Sequence, residues 1–130
     1  RTTTAERTFW EKTTILHREA FRPGGFPIAS RMSRHYYDVY RMTKLGILNK
    51  AMSQPELLIQ VAGFKAKFYP QKWARYDLAK IGTLKLIPPE YSLDTIRKDY
   101  ANMAGMIYGE IPTFNDLMKY IAEIETIIND

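Results

Sequence analysis

A chain of 130 residues with 45% apolar and 25% charged side chains is long enough to bury one core without staples. It has no cysteine, which excludes a disulfide framework and a thiolate metal site, and no apolar run approaches the ~20 residues that span a bilayer. The net charge of +5 hides a split. Residues 1–85 carry 16 Lys and Arg against 6 Asp and Glu, a balance of +10, whereas residues 86–130 carry 3 against 8, a balance of −5. A half this basic suits a polyanionic partner, but its Lys and Arg are scattered, so a merely solvated surface is an equal reading.

Helical spacing dominates the chain, and the alternation expected of strands is scarce. Thr3 followed by Glu6 forms a capping-box pattern, and Phe9, Trp10, Ile15, Leu16 and Ala20 then recur at helical spacing as far as Phe21. Pro23-Gly24-Gly25 with Pro27 ends that helix, and a loop leads on to Arg31. Ser33 caps a second expected helix through Tyr36, Tyr37, Tyr40 and Leu45, with Gly46 as its stop. A third starts at Ser53, presents Leu57, Leu58, Val61 and Phe64 as its apolar face, and runs to Tyr69 before Pro70.

Residues 71–80 read as a short helix ended by Gly82, and residues 83–91, with Pro88-Pro89, as a connector. Ser92 caps the next helix, which carries Leu93, Ile96, Tyr100, Met103 and Ile107 up to Gly109. Pro112-Thr113 opens a terminal helix with Phe114, Leu117, Ile121, Ile124 and Ile128. The sequence predicts an all-α protein of about six helices in a single compact helical domain over residues 1–130.

Few residues offer chemistry. Lys12 lies three residues after Phe9 and four before Leu16, beside the apolar stripe. Such a lysine either runs its stem along the core edge to water or presents its ammonium to a cleft, as a point charge for a phosphate. Asp38 follows Arg34 by four residues and His35 by three. Periodicity favours a surface ion pair with Arg34 worth ~0.3–0.5 kcal/mol, against a carboxylate oriented by Arg34 or His35 to accept a hydrogen bond or a proton.

His17 and His35 lack the spacing of a metal pair and read as hydrogen-bonded side chains. A triad drawn from Ser33, His35 and Asp38 has no glycine-bounded nucleophile turn, and Gly24-Gly25 is followed by Phe-Pro, not by the Lys and Ser/Thr of a phosphate loop. Tyr36, Tyr37, Tyr40, Phe64, Phe68, Tyr69, Trp73 and Tyr76 interleave with basic residues as a base-stacking surface would, yet helical spacing favours the core for most of them.

Three stretches resemble one family. The segment Arg7-Thr8-Phe9-Trp10-Glu11-Lys12-Thr13-Thr14-Ile15-Leu16-His17 is similar to the Trp-Glu-Lys helix of the AbiEii/AbiGii nucleotidyltransferase toxins. Ser33-Arg34-His35-Tyr36-Tyr37-Asp38 resembles that family's Arg-(Asp/His)-x-x-Asp element. The run from Asp99 to Gly109, with Pro112 and Phe114, resembles its C-terminal signature. Any one stretch would be weak; three in the right order cover nearly the whole chain.

The resemblance implies a nucleotidyltransferase-fold protein of type IV toxin–antitoxin or phage-defence biology, transferring a nucleotide from an NTP with Mg to an acceptor that in some members is a tRNA 3′ end; a cytoplasmic location is the default expectation for a chain with no membrane-spanning run. By match, Lys12 would contact the nucleotide phosphates and Asp38 would lie near the catalytic centre. The loop before the second helix delivers Arg31 and Arg34 beside Asp38, so these two and His35 are expected to bind substrate, and the resemblance implies a cognate antitoxin as a partner.

The departure from the family is equally informative. Its Gly-Ser turn and Asp-x-Asp pair hold the metal ions, and the Asp residues here, at 38, 77, 94, 99, 116 and 130, include no two separated by one residue. That motif is expected N-terminal to Arg1, so no metal or other cofactor is expected on this chain, which would be the C-terminal part of a longer enzyme and inactive alone. The competing reading is a non-catalytic helical module that binds an antitoxin or nucleic acid.

Overall fold

Six α-helices carry the architecture in the computed structural model, which describes residues 4–25, 27–68, 71–105 and 111–130. Among the described residues there is no strand, so the protein is all-α. Helix α1 spans Ala5–Ala20, and its N-cap is Thr4, whose side chain accepts from the N–H of Arg7 at 3.2 Å. The expected cap Thr3 lies outside the described residues. Phe9, Trp10 and Leu16 are fully buried on α1. So are Thr13 and Thr14, because their hydroxyls donate back to the carbonyls of Trp10 and Glu11 and leave no polar atom unsatisfied.

Helix α2 spans Ser33–Lys44 and differs at its start from the expected Ser33 cap. Ser33 is already helical, and its hydroxyl donates to Asp99 instead of satisfying its own helix. Gly46 ends the helix as expected, with φ of 84° in the region where a side chain is strained, but it also starts an unexpected one-and-a-half-turn helix, α3, over Ile47–Met52. Ser53 belongs to the end of α3, with its hydroxyl on the Lys50 carbonyl, so α4 starts later than expected and spans Pro55–Phe68. A proline suits the first helical position because its missing N–H would be unsatisfied there anyway.

The expected helix over residues 71–80 is two 3₁₀ turns, Lys72–Ala74 and Tyr76–Leu78, broken by Arg75 at φ of 50°. Helix α5 spans Glu90–Ala104 and starts two residues before the expected cap Ser92, because Pro89 fixes the extended entry. Ser92 is buried, and the expected end of this helix at Gly109 lies outside the described residues. Helix α6 spans Phe114–Asn129, capped by Thr113, and buries all five of its expected residues.

One apolar cluster joins these elements. Helix α1 packs against α2, α3 and α4, and α2 packs in turn against α5 and α6. Trp10, fully buried, also donates its indole N–H to the carbonyl of Ala51 at 3.2 Å, which ties α1 to α3. Phe64 and Phe68 depart from the expected core: they stack on each other at 4.7 Å on the outer side of α4 and are 49% and 57% exposed. Residues 76–89 have little regular structure, and side chains hold their backbone. Asn129 accepts from the N–H groups of Gly82 and Leu84 and donates to the Leu84 carbonyl, and Glu125 accepts from Leu86 and Ile87.

A candidate phosphate-binding notch between α1 and α2

Packing α1 against α2 brings Lys12 to the seam between them. Its ammonium lies 3.2 Å from Oδ2 of Asp38 and 3.2 Å from Nδ1 of His35. Lys12 and Asp38 thus share one notch, each about a quarter exposed. The other oxygen of Asp38 accepts from Nε of Arg34 at 3.1 Å, the expected i,i+4 pair. Partly exposed pairs of this kind contribute at most about 1 kcal/mol to stability.

A lysine ammonium has no lone pair, so Nδ1 of His35 must be the acceptor and the ring is neutral. Burial holds the His35 pKa below 6.5, the Lys12 cation pushes it further down, and Asp38 opposes both. Two of the three N–H bonds of Lys12 are taken by His35 and Asp38, which leaves one to reach a ligand oxygen. Asp38 has one oxygen on Lys12 and the other on Arg34, so this donor set does not fit Mg²⁺, which needs oxygen ligands of its own.

Arg31 and Arg34 stand at the start of α2. With Ser30, Asp99, Asn102 and Met103 they line a cavity of about 250 Å³. Arg31 sits at φ of 65°, a conformation a non-glycine residue adopts only when its surroundings hold it. Here the holder is Asp99, which accepts from the backbone N–H of Arg31 at 2.7 Å. Arg34 joins the cavity to the notch, since it lines the first and its Nε binds Asp38 in the second. The acidic half of the chain therefore does not stand apart from the basic half: Asp99 of α5 lies at the root of α2. Ser33 is directed to Asp99, so no triad with His35 and Asp38 is assembled.

Lys65 and Asp99 carry weight that the sequence reading gave to neither. Lys65 donates from α4 to the Glu11 carbonyl at 3.0 Å, next to Lys12 in the chain. The only signal for it was a cation on a helix otherwise rich in apolar residues. Asp99 stood in a recognised stretch without a role. His17 is a fully buried structural histidine: Nε2–H donates to the Arg75 carbonyl at 2.7 Å, and Nδ1 accepts from the Lys85 N–H at 3.0 Å.

Fold and site together define an all-α protein with a cationic notch bordered by one carboxylate. The chain belongs to the nucleotidyl transferase AbiEii toxin family of type IV toxin–antitoxin systems, whose family model matches residues 1–124. No curated protein and no solved structure matches it. Among the described residues, no helix is long and apolar enough to cross a membrane.

Proposed function

We propose that residues 1–130 are the helical C-terminal part of an AbiEii-type nucleotidyltransferase, which transfers a nucleotide from an NTP to an acceptor such as a tRNA 3′ end. The observation that carries this reading is the Lys12 ammonium, held 3.2 Å from both Asp38 and His35 with one N–H to spare. A pair worth so little to stability has better use as a fixed positive charge for a phosphate oxygen. Asp38 orients Lys12 and Arg34 at once, and neutral His35 keeps the ammonium from turning away. Arg31 and Arg34 draw the polyanionic acceptor toward the same side.

The Mg²⁺ that such a transfer uses is held in this reading by an Asp-x-Asp segment outside these residues, so the chain alone is inactive. A cognate antitoxin, a role in phage defence and a cytoplasmic location belong to the same reading and rest on the family alone.

The test is nucleotide transfer by the full-length protein. Lys12→Ala should lower it by about 10²-fold or more while the fold is kept, since a charge fixed at the reacting centre is lost. The isolated 130-residue chain should show none. Robust transfer by the isolated chain, or wild-type transfer by the Lys12→Ala protein, would overturn the reading.

A further inference from the structure

We propose that Lys65 is a second phosphate-binding cation of the notch, reaching from α4 to grip the oligophosphate of the ligand together with Lys12. This rests on the reading of Lys12 as a phosphate contact. Helix α1 packs against both α2 and α4: it carries Lys12 to His35 of α2, and it meets Lys65 of α4 at the carbonyl of Glu11, one residue before Lys12. The Lys65 side chain is half-buried, and among the described residues its ammonium holds on to a single group, the Glu11 carbonyl.

That carbonyl does not need it. The hydroxyl of Thr14 already donates to the same oxygen at 2.8 Å. Nor does a carboxylate answer the charge: among the described residues none lies within ion-pair distance of Lys65, and Glu11 is drawn toward Arg7 at 3.9 Å. Burial, then the cations of Arg18 and Lys12, push the Lys65 pKa down to about 8, while the Glu11 carboxylate opposes them. The same three cations all depress His35. Like charges gathered at a half-buried site, with Asp38 paired to Lys12 and Glu11 drawn toward Arg7, are destabilising until an anion arrives. An oligophosphate has the charge and the reach to touch both lysines.

Titration of trimetaphosphate, an oligophosphate whose own protons are lost well below pH 8, into the 130-residue chain at low salt, followed by calorimetry, tests this. Lys65→Gln keeps a donor for the Glu11 carbonyl and removes only the charge, so binding should weaken roughly tenfold. Lys65→Arg should bind like the wild type, and Lys67→Gln, on the exposed side of α4, should change nothing. At pH 8 the wild type should also take up protons on binding, read from the heat in buffers of different ionisation enthalpy. His35, whose pKa is held below 6.5, is neutral at that pH.

If Lys65→Gln binds and takes up protons as the wild type does while Lys12→Ala loses affinity, Lys65 is a structural donor and the proposed function survives. If neither substitution matters, or the wild type does not bind, both readings fall. Should Lys65→Gln not fold, absence of proton uptake by the wild type overturns the inference by itself.

Discussion

Asp99 of α5 accepts both the backbone N–H and the hydroxyl of Ser33, at 2.9 and 2.5 Å, and so caps a helix to which it does not belong. Helix α2 has no side-chain cap of its own, since Met32 stands at the cap position. Asp99→Ala removes the acceptor for Ser33 and for Arg31 together and should destabilise the chain by about 2–4 kcal/mol in urea unfolding. Burial by itself raises the Asp99 pKa, but the bonds from Ser33 and Arg31 outweigh it and hold the carboxyl below 3.8. A carboxyl depressed in the fold stabilises above its unfolded pKa, and that contribution is lost as pH falls through the folded value. The wild-type advantage over Asp99→Ala should therefore shrink only below about pH 4.

The two histidines set a different window. Burial is the largest cause that lowers the pKa of each, and each ring accepts a hydrogen bond at Nδ1, from Lys85 on His17 and from Lys12 on His35. A proton added at Nδ1 would meet a donor. The unfolded chain then binds more protons than the folded one below pH 6.5, so stability falls as pH drops from about 6.5 toward 5. His17→Gln should flatten that slope; an unchanged slope in equilibrium unfolding would show that His17 does not carry it. In a nitrogen-15 titration, Lys12→Ala should raise the His35 pKa, because a neighbouring cation has gone.

Tyr36 is fully buried, and its hydroxyl finds no hydrogen-bond partner among the described residues. Burial and the nearby Glu19 carboxylate raise its pKa far above 10, so the group is a neutral phenol with a donor to spare. Tyr36→Phe removes an unsatisfied polar atom and leaves the ring, so stability should be unchanged or higher by roughly 1 kcal/mol. A loss above that size in thermal unfolding would mean that the hydroxyl is satisfied.

Charge reversal at Arg31 and Arg34 should weaken binding of labelled tRNA and flatten its salt dependence, by about 0.7 in log–log slope per lost contact if the bound end is single-stranded. Lys119, exposed on the acidic α6, is the control. Equal losses from the pair and from Lys119 would mean that the basic residues are a solvated surface.

What the sequence made legible follows from range. Helix α6 buries Phe114, Leu117, Ile121, Ile124 and Ile128 because a single apolar stripe and the Pro112-Thr113 start are local signals. The Lys12–Asp38 pairing needed α1 and α2 to be adjacent, which periodicity does not state; the resemblance supplied it. Three things stayed hidden because their causes lie far along the chain. Asp99 takes over the cap expected of Ser33, Lys65 reaches a carbonyl 54 residues away, and the stretch after Gln71 tightens into 3₁₀ turns around Arg75. Phe64 matched the helical period of Leu57 and Val61, yet α4 is apolar on more than one side and its outer side faces outward.

The clamp on residues 82–87 bears on where this folding unit ends. The family model matches residues 1–124, and Glu125 and Asn129, which fasten that stretch, come after it. A chain trimmed to the matched length would keep every residue of the notch and lose five hydrogen bonds to backbone that runs beside His17. Proteases should then cut near Gly82, and α1 would lose the support of the Lys85 N–H on His17. The last turn of α6 thus acts as a rivet for the backbone beside the first helix.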